Sequence, residues 1–445
     1  MPPGRSAPQD YIPNEIGEVP PEPEAPFRPF RLPSTFASLR HRNFRIFFVG
    51  RILSLTGSWM QMAALSWLIY ELTSSKEALG IIGAIRMAPM MALTLFGGVV
   101  ADRYPKRKVI LITQTMLMVL ALVLAALVLF KVVVIWQIVL LGAVTGCVLA
   151  FDIPARQSFV VELVDAEDMS NAIALNSTTF NFARIVGPAL AGLLMAKIGM
   201  GACFLINGLS YLALIVSLLM VRMPPRAAPG DDNAKTAFKQ IIEGFSIIAH
   251  RPAIRGVLIL VAVTVVFGFS YGVMIPVFAK DVFGLGEEGY GLLLAANGAG
   301  ALVGALVVAS LARSGHKLWI IVGGVMLFSA MLFLFASAKV VWLAALCLAG
   351  VGVGFMLFMS TSNALVQTSV PDNARGRVMG VWSFMFVGVM PLGSLQIGFL
   401  SEYLEGGAPL AVKIGAVICA ASGLYALWVL IKRNRTGGRP GTDSP

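Results

Sequence analysis

The chain has 445 residues, 57% of them hydrophobic and only 13% charged, with a formal net charge of +11 and a mean hydropathy of +0.82. A soluble chain of this length carries about a quarter charged residues, so this composition excludes a soluble globular enzyme with a water-facing surface. Runs of eighteen or more apolar residues read instead as helices crossing a hydrocarbon core of about 30 Å.

Residues 1–43, rich in Pro with interspersed Glu, predict a disordered tail and lack the basic-then-apolar plan of a cleaved signal peptide. Apolar runs follow at 46–70, 78–101, 108–130, 134–155, 172–196 and 200–221, predicting a first bundle of six helices over 44–222. The longest polar interruption, 223–253, comes next. Within it, Phe238, Ile241, Ile242, Phe245 and Ile248 have helical spacing and predict an interfacial helix over 236–249. Runs at 255–279, 290–312, 318–337, 340–364, 377–401 and 409–431 make a second bundle over 254–431, and 432–445 form a polar tail. Alternating patterns of the kind a membrane β-barrel needs do not occur. The expected fold is all-α, with twelve transmembrane helices in two six-helix bundles.

Orientation follows from Lys and Arg. Of 34 such residues, about 25 fall on the side of the termini, about 6 on the other side and about 3 within spans. The expectation is a multi-pass plasma (inner) membrane protein with both termini in the cytosol. The positive charge is therefore a topology signal, and no nucleic-acid contact is expected.

The halves repeat weakly. Aligning 151–177 on 358–383 pairs Phe151 with Phe358 and Asp165 with Asp372, and Pro188 and Pro391 follow in the next helices. Whole bundles related by an axis along the membrane normal are a transporter plan.

The turn "GGVVADRYPKRKV" (97–109) sets Gly98, Asp102, Arg103, Arg107 and Lys108 at fixed spacing between two apolar runs. Gly98 permits close helix approach, Asp102 suits a helix N-terminus, and Arg103 and Arg107 suit carboxylates or lipid phosphates. This turn resembles the signature loop of the major facilitator superfamily, with Pro105 where that loop usually has glycine. The resemblance implies a latch that holds the bundles together in the outward-open state. The corresponding stretch 304–317 has no aspartate. Residues 154–164, 171–194 and 50–75 resemble the drug- and siderophore-exporter branch that includes enterobactin and macrolide efflux proteins. The likeness extends over 40–430. It implies a secondary transporter exporting a small amphipathic molecule by alternating access, as a proton antiporter. The branch's antiporter pattern falls on Ala174, Ala183, Gly187, Pro188, Ala191 and Gly192, and with Pro391 these residues are expected to serve close helix packing.

Charges inside the hydrocarbon are costly unless paired or solvated. Arg51 either snorkels to the inner surface or joins a buried site. Arg86 and Arg184 lie deeper and are expected to line a cavity or stabilise a bundle. Asp152 has Arg156 one turn later, a spacing for an ion pair, or else serves as a functional carboxylate. Proton carriers are restricted to Asp102 and Asp152, with Glu71 or Glu402 at outer ends. Gln61, Asn176, Asn181, Asn297, Asn363, Gln367 and Gln396, with Trp59, Trp67 and Phe267, either face a central cavity or bond between helices. Three buried arginines and few deep acids predict a neutral or anionic amphipathic cargo.

Cys147, Cys203, Cys347 and Cys419 are isolated, and His41, His250 and His316 are far apart, so neither metal nor disulfide spacing occurs. No GxxxxGK followed by Ser or Thr is present, which argues against direct use of ATP. The expectation is a monomer without cofactor, whose partners are a small-molecule substrate, protons and membrane lipids. A lysophospholipid flippase is the alternative.

Overall fold

The computed structural model describes residues 37–222, 243–311 and 316–435. Most of the predicted N-terminal tail, the first half of the predicted interfacial helix and residues 436–445 lie outside the described residues.

Twelve long helices run in alternating directions: α1 (Arg42–Thr73), α2 (Lys76–Arg103), α3 (Lys106–Leu129), α4 (Ile135–Glu162), α5 (Met169–Ile198), α6 (Met200–Met220), α7 (Pro252–Val282), α8 (Glu287–Leu311), α9 (Lys317–Ser337), α10 (Val341–Thr368), α11 (Asp372–Tyr403) and α12 (Gly407–Arg435). Eleven of them are long and apolar enough to cross a membrane. The twelfth, α2, is 28 residues long and packs along α4 and α11. An even number of passes places the start of α1 and the end of α12 on one face, called here the terminal face.

Each helix begins or ends within a few residues of its apolar run, because the hydrocarbon sets the run while the caps set the ends. Ser75, for instance, accepts a hydrogen bond from the Ala78 N–H (3.1 Å) and starts α2. The two halves share a plan. Pro188 and Pro391 each fall at the same point, counted from Met169 and Asp372, the first residues of α5 and α11. Trp136 and Trp342, the second residues of α4 and α10, are 65% and 75% exposed and sit where interfacial tryptophans belong. The Asp165–Asp372 pairing fails, however. The α10–α11 connection is shorter than the α4–α5 connection, so the repeat register slips at that turn.

The described part of the predicted interfacial helix, 243–249, packs on the second bundle. Glu243 pairs with Arg377 (2.8 Å), and Gly244 lies against the Arg377 carbonyl. The described residues begin at Ala37, inside the stretch expected to be tail. Ser38 Oγ donates to Asn171 (2.8 Å) and to the Asp168 carbonyl (3.1 Å), while His41 and Arg40 reach one Asp168 oxygen at 2.7 and 2.8 Å. The His41 hydrogen bond, with the Arg40 charge adding to it, holds the Asp168 carboxyl below the usual carboxylate range.

Among the described residues, π-helical turns interrupt only the second bundle, at Thr264–Phe269 and Phe278–Val282 in α7 and at Phe384–Gly388 in α11. Such turns widen a helix and re-aim the side chains that follow.

Candidate functional site: the cleft between two bundles

At the turn after α2, Pro105 caps α3 with φ −56°, so the chain reverses on the right-handed side and needs no glycine. Arg107 Nη2 donates to the Leu219 carbonyl (3.0 Å), one of the unsatisfied groups ending α6. Lys106 Nζ lies 2.5 Å from Glu162 at the end of α4. Both contacts stay inside the first bundle. Lys108 is exposed, and the side chain of Asp102 lies outside the description. The expected close approach at Gly98 is not found, since an added Cβ there meets nothing within 4 Å. Its neighbour Gly97 makes that contact instead, against the Ala150 carbonyl of α4.

About three turns deeper, Asp152 is fully buried. Thr113 Oγ1 and Gln114 Nε2 of α3 both donate to its Oδ1 at 2.8 Å, and Arg156 pairs with Oδ2. Arg51 belongs to the same cluster, near enough to feel both Asp152 and Arg156. Snorkelling does not describe Arg51: it is 8% exposed and its Nε has no hydrogen-bond partner. The local ion pair is present, set in a network of three helices.

Near the midplane, Arg184 of α5 lies close to Tyr271, which follows the first π turn of α7. Asn297 of α8 donates to Tyr271 Oη (2.7 Å) and to the Leu348 carbonyl of α10 (3.1 Å). Phe180, Arg184 and Pro188 follow one another at four-residue steps and so share a stripe of α5. Pro188 meets Gly291 of α8, and a Cβ on Gly298 of α8 would lie 3.2 Å from the Arg184 carbonyl, so this stripe looks onto the second bundle. Trp59 of α1 stands edge-on to Phe180, with ring centroids 5.5 Å apart. Arg184, Phe180 and Trp59 thus stand on the first bundle, and the Tyr271–Asn297 pair on the second, where the bundles meet.

Other sequence candidates sit elsewhere. Gln61 accepts from Asn207 (2.6 Å) within the first bundle. Asn181 donates to Ser177 of its own helix and Gln367 to Asn363 of its own helix, at 3.0 and 2.7 Å. Asn176 is half-buried. The Phe267 backbone abuts Gly415 of α12, inside the second bundle. Both amide atoms of Gln396 are buried without a partner, on the stretch of α11 that meets α2. Gly187 packs on Thr56 and Met60 of α1 and Gly192 on Gly291 of α8.

Toward the face opposite the termini the bundles close on each other. Tyr70 of α1 donates to Asp281 of α7, and Lys280 stands 5.7 Å from the Tyr70 ring centroid. Trp67 packs on Tyr290 of α8 (5.2 Å), whose hydroxyl donates to the Ala63 carbonyl (3.3 Å). Glu402 of α11 accepts from the Lys76 and Glu77 N–H groups (2.8 and 3.3 Å), placing an anion on the positive end of α2. Tyr403 donates to Glu77 (3.0 Å). Glycines bring backbones together, Gly80 with Gly398 and Gly192 with Gly291. These contacts between the bundles lie from the midplane to this face, where the bundles meet directly. Apart from Trp67, Gly192 and Glu402, the sequence reading missed these gate residues. Their signal was weak, because polar groups at span ends look like ordinary interfacial residues.

Residues 33–436 match the family described as transmembrane secretion effectors. The chain belongs to this family of the major facilitator superfamily. This secretion-effector-family protein is 25% identical over 365 residues to the staphyloferrin A transporter of Staphylococcus aureus, covering 80% of this chain and 89% of that one. It is 28% identical over 393 residues to the enterobactin exporter EntS of Salmonella typhimurium, covering 88% and 92%. In fold it is similar to a bacterial homologue of the human lysosomal transporter Spinster in an inward-facing, occupied conformation (TM-score 0.70, 12% identity, 90% and 99% covered). It is likewise similar to the nucleoside transporter NupG (TM-score 0.68, 15% identity, 87% and 99% covered). The protein is a multi-pass membrane transporter of small molecules, not an enzyme.

Proposed function

We propose that this transporter exports a small anionic amphipathic molecule of siderophore or drug type from the cytosol, by alternating access and in exchange for protons. The observation that carries the reading is the closure of one face by direct contacts between bundles, with Arg184, Phe180 and Trp59 on the first bundle and the Tyr271–Asn297 pair on the second where the bundles meet. The Lys and Arg asymmetry supports cytosolic termini, and a cleft closed at the opposite face would then open inward to receive cargo. Arg184 has no carboxylate partner among the described residues, so a cargo anion would supply its missing charge, while the aromatic faces take the apolar body. The siderophore transport named for both relatives supports this cargo class over a lipid.

The 97–109 turn is the latch of the opposite state. In the conformation described, Arg107 and Lys106 are held inside the first bundle. Outward opening would bring the terminal-face ends of the bundles together and offer these cations partners on the second bundle. Asp102 and Asp152 are the proposed proton carriers, and the protein acts as a monomer.

The test uses everted vesicles or proteoliposomes. Uptake of an anionic siderophore should release protons, and Arg184→Gln should raise KM far more than it lowers kcat, with Arg184→Lys intermediate. Strong ethidium export by the purified protein would overturn the cargo assignment. Substrate-induced proton release that survives in both Asp102→Asn and Asp152→Asn would remove these two carboxylates as carriers.

A further inference from the structure

Arg86 stands apart from the cleft. It lies on α2 and lines a small cavity inside the first bundle, walled by Gln61 and Leu65 of α1, Leu120 and Leu124 of α3, and Ile138, Leu141, Gly142 and Thr145 of α4. Its guanidinium stays protonated under all working conditions. Among the described residues it has neither an acidic partner nor a described hydrogen bond, unlike Arg156, which has Asp152. A fixed charge among leucines and an isoleucine requires a counter-charge or water.

The donors of the cavity can be assigned. Gln61 uses its oxygen to accept from Asn207, which leaves its amide N–H groups to donate. Thr145 spends its proton on the Leu141 carbonyl (2.7 Å), so it offers no donor. The cavity therefore presents two donor groups, one cationic, set in an apolar wall. Its volume is about 20 Å³, where a single water-sized occupant needs about 10–15 Å³. That is too small for an organic cargo, whose pockets run to hundreds of Å³, and too poor in donors for sulfate or phosphate.

We propose that Arg86 and Gln61 hold one small monovalent anion of the halide class, chloride under ordinary conditions, as a structural counter-ion inside the first bundle. The site is separate from the cargo cleft and does not depend on the export reading. It fixes α2 against α1, α3 and α4 by neutralising a cation that packing alone leaves bare.

The full chain in nanodiscs of neutral lipid, melted at constant ionic strength while chloride replaces gluconate, gives the test. The melting temperature should rise saturably with chloride or bromide and not with gluconate or sulfate. Arg86→Gln should abolish the response, and Arg184→Gln should keep it. Gln61→Glu supplies the missing carboxylate within the protein. It should melt near the chloride-saturated value of the unaltered protein and show no further halide response, which keeps the proposal testable if Arg86→Gln does not fold. A flat response in the unaltered protein, or a halide response that persists in Gln61→Glu, would overturn the assignment.

Discussion

Two adjacent glycines at the terminal end of α2 should behave oppositely when each gains a methyl group. At Gly97 an added Cβ lies 2.8 Å from the Ala150 carbonyl carbon and 3.1 Å from the Phe151 Cα, where unstrained carbon atoms sit about 3.5–4.0 Å apart. These Ala150 and Phe151 atoms are backbone and cannot swing aside, so α2 and α4 must part by roughly 1 Å. Overpacking of this kind costs about 1–3 kcal/mol. Gly98→Ala meets nothing within 4 Å and replaces a poor helix former with the best one, a gain of about 1 kcal/mol. Both variants share the propensity gain, so they should differ by the overpacking cost of about 1–3 kcal/mol. Thermal melting of each purified protein in one detergent, followed by transport in proteoliposomes, reads the difference. Gly98→Ala proving as destabilising as Gly97→Ala would refute the reasoning, since the signature-loop glycine would then be the packing residue after all.

Other consequences concern the gate, the buried acid and the terminal clasp. At Gly80 a Cβ would lie 2.8 Å from the Gly398 Cα, so Gly80→Leu should wedge the closed face open; a cysteine placed at Asp281 should then label faster from that side, and unchanged labelling would count against the gate. Asp152→Leu strands Arg156 beside Arg51 in a buried site and should cost about 3–5 kcal/mol, with the Asp152→Leu/Arg156→Leu double variant recovering part; a cycle without coupling would refute the pairing. The carboxyl of Asp168 is held below its ordinary value of 3.8 by His41 and Arg40. A depressed folded-state value means the clasp is fully present above the ordinary carboxylate value and is lost as pH falls through the depressed one. Protection of the Ala37–Arg40 amides, measured against the intrinsic exchange rate at each pH, should be high at neutral pH and fall only below about pH 4, and Asp168→Asn should remove the protection throughout.

Eleven of the spans were legible because a hydrocarbon core of about 30 Å imposes an apolar length on each one, and the Asp152–Arg156 pair because four-residue spacing is local. What lay beyond reach were contacts over long separations. Nothing near Tyr70 points to Asp281, and nothing near Lys76 points to Glu402. Arg51 illustrates the limit from the other side. Its depth in α1 was readable, but whether it faced lipid or the Asp152 network depends on helix rotation, which a run without a sharp polar stripe leaves open. At Gly98 a motif's spacing pointed one residue away from the helix contact, because one residue turns a helix face by about 100°.

The central claim, that cargo crosses only if the face opposite the termini opens, is tested most directly by locking that face. A variant lacking Cys147, Cys203, Cys347 and Cys419, with cysteines replacing Tyr70 and Asp281, would be joined by a short reducible cross-linker in proteoliposomes. Transport should stop on cross-linking and return on reduction, with single-cysteine controls unaffected. Full transport by the cross-linked protein would contradict the account.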